Sequence, residues 1–254
     1  MPSTLNPQPS TKVGIFGGSF NPIHLGHTAL AAYICEQGLV DEVWLMVSPQ
    51  NPLKRNLTLL DEQDRLTMAR LAVASYPMLK ASDFEFTLPR PSYTYHTLQA
   101  LREAYPDCEF SLIIGEDNWQ CFDRWYRGKD IARETPIIVY PRDVEGLGLR
   151  VEGKLRDVYP TGWYYFPQNS EEETLSTLNP QTEFAGRREK QPSTLNPQPS
   201  NGVRWPKGKA TLTPQLLPYS STEVRESIAA GRDTSHMLHP DVAQYIKEKH
   251  LYLG

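Results

Sequence analysis

The stretch from residue 13 to residue 34 limits most strongly what this chain can fold into. It opens with a short apolar run, VGIF at residues 13–16, that stops at Gly17-Gly18. An Asn21-Pro22 turn follows, and from His27 onward apolar residues recur at Leu30, Ala31 and Ile34. A short apolar run closed by glycine reads as a buried strand, and apolar spacing of three and four reads as a helix. A strand that turns directly into a helix is the first part of a βαβ unit, which leads to parallel strands joined by right-handed crossovers.

The same alternation continues. Glu42–Val47 reads as a second buried strand, and residues 110–114, ending at Gly115, and 136–140 read as two more. Asp61 is placed to cap a helix that carries Leu66, Ala69 and Val73 on one stripe. Ser92 is placed to cap another, with Tyr95, Leu98 and Leu101 inward, and residues 220–230 and 241–249 form two helices near the end. The expected class is therefore α/β, a mostly parallel sheet with helices on both faces. In such sheets ligands bind beyond the carboxyl ends of the strands, so the segments just after each strand carry the chemistry.

At 254 residues the chain is long for a single domain, and its 22 prolines are nearly double the usual share of ~5%. STLNPQ occurs three times, at residues 3–8, 176–181 and 193–198. Unequal spacing excludes a solenoid, and proline-rich, nearly uncharged copies offer too little apolar burial to offset ordering entropy. Residues 1–11 are expected to be a disordered tail, and about 168–209 a low-complexity insertion in one domain running from 12 to 254. The net charge of −4 provides no basic footprint for DNA or RNA. No apolar run reaches membrane-spanning length, and the first residues lack a signal-peptide core. Cys35, Cys108 and Cys121 are odd in number and widely spaced, so they read as small buried hydrophobes rather than disulfides or a zinc cluster. The expected setting is cytoplasmic, with no membrane and no nucleic-acid partner; oligomeric state leaves no trace in the sequence.

Residues 14–27, GIFGGSFNPIHLGH, contain neither the GxGxxG of a dinucleotide fold nor the GK[ST] of a P-loop. They instead combine a glycine pair that lets a ligand approach the backbone with His24 and His27, three apart at a helix start. A helix N-terminus attracts anions, and imidazoles beside it can donate to a phosphate chain. Two histidines without a third ligand make an incomplete zinc site, so no metal site is expected. Ser220 and Glu223 have capping-box spacing, and with Ser221, Thr222 and Arg225 they gather donors at a second helix start. His236 and His239 read as structural or exposed, and His96 and His250 receive no role.

GGSFNPIHLGH resembles the GxFxPxHxGH signature of nucleotidyltransferases that share a fold core with class I aminoacyl-tRNA synthetases. More closely, the chain resembles the bacterial nicotinate-mononucleotide adenylyltransferases, from about Lys12 to Leu253 with the insertion interrupting. VSPQNPLK at 47–54, PSYTYHTL at 91–98, IIGEDNW at 113–119, FDRWY at 122–126 and YSSTEVR at 219–225 follow in that family's order. Many members carry PPH[KR] where this chain has Asn51-Pro52-Leu53-Lys54, so no histidine precedes the lysine.

The resemblance implies a Rossmann-like nucleotidyltransferase fold and transfer of an adenylyl group from ATP to nicotinate mononucleotide, with Mg²⁺ arriving on ATP. It assigns His24 and His27 to catalysis. Gly17, Gly18, Ser19 and Phe20 would join them around ATP, together with Gly115, Asp117, Ser220, Ser221, Thr222 and Arg225. Lys54, Thr94, Trp125 and Tyr126 would receive the mononucleotide, the aromatic pair by stacking on the pyridine ring. Two alternatives stand beside this: adenylyl or cytidylyl transfer to another phosphate acceptor, and a non-catalytic nucleotide-binding protein. An aminoacyl-tRNA synthetase fragment is disfavoured by the lack of a KMSKS-like loop.

Overall fold

A computed structural model of the chain describes residues 10–49, 59–119, 121–140, 164–166 and 217–253. Strands β1 (Thr11–Gly18), β2 (Glu42–Val47), β3 (Leu79–Ser82), β4 (Cys108–Gly115) and β5 (Ile137–Tyr140) are joined by helices α1 (Leu25–Glu36), α2 (Glu62–Val73), α3 (Thr94–Ala104), the short α4 (Glu116–Trp119) and α5 (Gly128–Glu134). Strand β6 (Tyr164–Phe166) and helices α6 (Ser221–Ala229) and α7 (Pro240–Glu248) follow. The sheet order is β3-β2-β1-β4-β5-β6, with the first five strands parallel and β6 antiparallel on β5. The chain winds outward from β1 to β3 and then returns to lay β4 on the other side of β1. That reversal makes the β1/β4 boundary a topological switch point, where a crevice opens at the carboxyl edge.

Strand alternation divides the core between two faces. Phe16, Leu45, Val47, Ile113 and Ile138 pack with Leu30, Ile34, Leu66, Val224, Val242 and Ile246, so α1, α2, α6 and α7 cover one face. Val13, Ile15, Met46, Leu112 and Val139 pack with Leu98, Leu101 and Ile131, so α3 and α5 cover the other. Each crossover descends the sheet, which brings the N-termini of α1, α2 and α3 to the carboxyl edge beside the crevice.

The sequence-derived elements reappear with shifted ends. Asp61 caps α2 by accepting from the Gln63 amide at 2.8 Å, and Pro240 opens α7 behind His239, whose Nδ1 accepts from the Asp241 amide. Ser92 does not cap α3; Tyr93, in extended backbone, is the cap residue, and Tyr95 is half-buried rather than fully inward. Strand β3 was not anticipated. The three cysteines are half-buried rather than buried, and burial with its acidic neighbours pushes the Cys35 thiol up to about 11. Thr11 already pairs with Cys108 in β1, whereas residues 1–9 and the expected 168–209 insertion lie outside the described residues. Among the described residues no helix is long and apolar enough to cross a membrane.

Candidate active site

The two histidines meet where β1 turns into α1. His24 is the N-cap residue of α1 in extended backbone, and its ring lies on that of His27 with centroids 3.7 Å apart and planes 32° apart. The His24 amide donates to His27 Nδ1 at 3.2 Å. A ring nitrogen that accepts is unprotonated, so the proton of a neutral His27 ring sits at Nε2, making that atom the donor. Buried Phe20, whose φ of 44° is in the left-handed region, sets its edge against His27 at 5.1 Å. Gly26 makes the pairing possible: a Cβ there would lie 3.0 Å from His24 Nδ1 and 3.2 Å from the Leu217 carbonyl.

The helix start is less open to an anion than the sequence implies. The Leu25 amide already donates to the Met237 carbonyl at 2.8 Å. Among the described residues, open space lies instead over Gly17, where a Cβ would meet nothing within 4 Å.

Helix α6 arrives at the same place from the far end of the chain. Ser221 Oγ donates to the Pro22 carbonyl at 2.9 Å, and Arg225 Nη1 donates to the Asn21 carbonyl at 2.8 Å. Arg225 Nη2 reaches Thr222 Oγ1 at 3.1 Å, while Ser220 Oγ caps the helix by accepting from the Glu223 amide. The SSTEVR turn is thus bonded to the NP turn that carries the histidines. Part of the hydroxyl and guanidinium capacity assigned to ATP works here as a brace between loops.

Across the switch point, Gly115 ends β4 one residue before α4. A Cβ on it would fall 2.5 Å from Asp117 Oδ1 and 3.2 Å from the Tyr140 ring, so glycine is required for Asp117 to fold back over the strand end. Thr94 opens α3 at the same edge. Trp125 and Tyr126 do not form one platform: Trp125 packs on Phe122 at 5.2 Å, while exposed Tyr126 stacks on Tyr93 at 4.9 Å and 32°. Lys54 lies outside the described residues.

Two residues at the site, Asn21 and Arg65, have no side-chain role in the sequence analysis. Asn21 is buried, and its Oδ1 accepts from the Leu60 amide at 3.3 Å and from the Tyr252 hydroxyl at 2.9 Å. Arg65 is 1% exposed and bonds four main-chain carbonyls around the crevice. Its signal was legible: an arginine one turn before buried Met68 and Ala69 stands where α2 faces inward.

A mostly parallel sheet whose switch point gathers a histidine pair, a donor-rich turn and the exposed backbone of Gly17 defines a Rossmann-like α/β fold with its candidate site at the carboxyl edge. The chain belongs to the cytidylyltransferase-like family, whose model matches residues 15–227. Among its relatives, a "Probable nicotinate-nucleotide adenylyltransferase" of Bacteroides fragilis (strain YCH46) is 57% identical over 132 residues, 52% of this chain and 66% of the relative, just under two thirds of its length. A protein of the same name from Flavobacterium johnsoniae is 48% identical over 131 residues, 52% of this chain and 68% of that one. The solved structure of Plasmodium falciparum nicotinic acid mononucleotide adenylyltransferase complexed with NaAD shares the fold, with a TM-score of 0.59 at 17% identity over 95% of this chain and 97% of that one.

Proposed function

We propose that this chain transfers the adenylyl group of ATP to nicotinate mononucleotide, forming nicotinate adenine dinucleotide and pyrophosphate. A phosphate oxygen of the mononucleotide forms the new bond to the α-phosphorus as the bond to the bridging α–β oxygen breaks, and pyrophosphate leaves with that electron pair. The attacking phosphate is already anionic at neutral pH, so no strong base is needed. Placement and neutralisation of charge can supply the catalysis. The observation that carries this reading is the stacked His24–His27 pair, bonded through the NP turn to Ser221 and Arg225.

In this reading the Nε2–H of His27 donates to phosphate oxygens as charge builds on them, and the space over Gly17 admits the triphosphate. Ser220, Ser221, Thr222 and Arg225 line its far side, and Asp117 accepts from ribose hydroxyls. Thr94, Lys54, Trp125 and Tyr126 are assigned to the mononucleotide side. The two imidazoles suit phosphate oxygens rather than a cation, which fits Mg²⁺ carried on the triphosphate and held largely by phosphate and water. Names and identities of the bacterial relatives support the choice of acceptor.

The test is pyrophosphate release by the purified chain with ATP plus nicotinate mononucleotide, nicotinamide mononucleotide, pantetheine phosphate or no acceptor, and with CTP in place of ATP. Release with the nicotinate compound and ATP is expected. His27→Ala is expected to lower turnover by at least ~10²-fold, as for loss of one pre-organised donor. Near-normal turnover in that variant would remove His27 from the mechanism, and release only with another acceptor would replace the substrate assignment.

A further inference from the structure

Arg65 lies in the first turns of α2, 1% exposed. Its Nε donates to the Leu60 carbonyl at 3.0 Å, Nη1 to those of Ser19 and Ser48 at 2.7 Å each, and Nη2 to that of Pro49 at 2.9 Å. Among the described residues it forms no ion pair. A buried guanidinium is tolerated only when its donors are satisfied, and a planar fork fixes acceptor positions in a way a lysine ammonium does not.

The acceptors are not scattered. Ser19 follows Gly17-Gly18 at the exit of β1, whereas Ser48 and Pro49 follow the exit of β2. The two exits lie side by side, since Gly18 pairs with Val47 and the Ser48 amide donates to the Gly18 carbonyl at 2.9 Å. Leu60, the fourth acceptor, passes its amide to Asn21 Oδ1 in the NP turn. One guanidinium therefore holds together the segment that leads to the histidines, the segment that leads into residues 50–58, and the entry to α2.

We propose that Arg65 is a positioning residue for the transfer reaction: its fork fixes the β1 exit, on the triphosphate side, against the β2 exit, on the acceptor side. This rests on the proposed adenylyl transfer. Two phosphates that must meet in line tolerate little misplacement, and a displacement near 1 Å lowers rate by roughly 10²-fold. Loosening the clamp therefore lowers turnover more than it weakens either substrate alone.

Arg65→Lys keeps the charge and loses the fork; Arg65→Met loses both. At a temperature where circular dichroism shows each variant folded, Arg65→Lys is expected to lose at least ~10-fold in kcat with both KM values within about threefold of the parent, and Arg65→Met roughly 10²-fold or more. A folded Arg65→Lys with parental kcat, or one whose loss lies in KM alone, overturns the proposal. The parent in the same assay separates the two levels. A parent that releases no pyrophosphate overturns the adenylyl-transfer reading and this role with it; an active parent with active variants overturns only the role of Arg65. If neither variant folds, the unmodified chain decides by nitrogen-15 NMR of the Arg65 Nε–H. Slow exchange and a resonance shift when ATP is added support the clamp, and an unchanged resonance overturns it.

Discussion

A methyl group placed on Gly17 would project into open space, and one on Gly115 would run into a carboxylate and a phenol ring. The two glycines thus serve different ends: Gly115 makes room inside the protein, and Gly17 keeps room outside it. Gly17→Ala should therefore leave folding stability within about 0.5 kcal/mol of the parent, as for a surface change that touches nothing. It should nonetheless weaken ATP by about tenfold or more, because a close backbone approach is what the missing side chain permits. Urea unfolding and an ATP titration on the same variant check this. A variant that binds ATP as the parent does would move the triphosphate away from the end of β1.

At the scale of elements, a buried carboxyl ties two of them together. Glu85, in the single turn Phe84–Thr87 after β3, is 7% exposed and accepts from Thr97 Oγ1 on α3 at 2.8 Å. Burial pushes its pKa up, against the smaller opposing effect of hydrogen bonds from Thr97 and Ser48. An acid whose folded pKa is raised gives its full stabilisation below the unfolded value of about 4.3 and loses it as pH rises through the raised folded value. Glu85→Gln retains an oxygen for Thr97 and cannot ionise. The parent's stability relative to Glu85→Gln should therefore fall as pH is raised from about 4.5 to 8, measured by urea unfolding at each pH. A constant difference would mean that the carboxyl does not titrate in that window. Elements like these also show where sequence reading reached its limit. Glu42–Val47 was legible to the residue because an unbroken apolar run has only one use in a parallel sheet. Leu79–Ser82 was not, since a four-residue edge strand with exposed Lys80 carries too little pattern. In the site, residue types and order gave the histidines and the SSTEVR turn. Whether Arg225 faces a ligand or a carbonyl, and on which side Trp125 falls, depends on contacts between distant segments that no local spacing encodes.

The molecule as a whole closes its site with its last residues. Tyr252 donates to Asn21 Oδ1 across 231 positions of sequence, Tyr245 donates to Asp64 Oδ1 at 2.7 Å, and the Met237 carbonyl accepts from the Leu25 amide. With Ser221 and Arg225 on the NP turn, these bonds make residues 19–25 and the segment from 217 to 253 one wall rather than two. Burial pushes the Tyr252 phenol upward, so it remains a donor throughout the neutral range. Tyr252→Phe removes that one donor while Asn21 Oδ1 keeps the Leu60 amide, so the expected loss is about 1 kcal/mol of stability. If the wall opens as a unit, the loss should also appear at a distance: the Leu25 amide, which Tyr252 does not touch, should exchange with solvent faster in step with the Leu60 amide. Native-state hydrogen exchange on the variant reads both amides at once. A faster Leu60 beside an unchanged Leu25 would show two walls that open independently, and the C-terminal helices would then brace the fold without setting the position of the histidines.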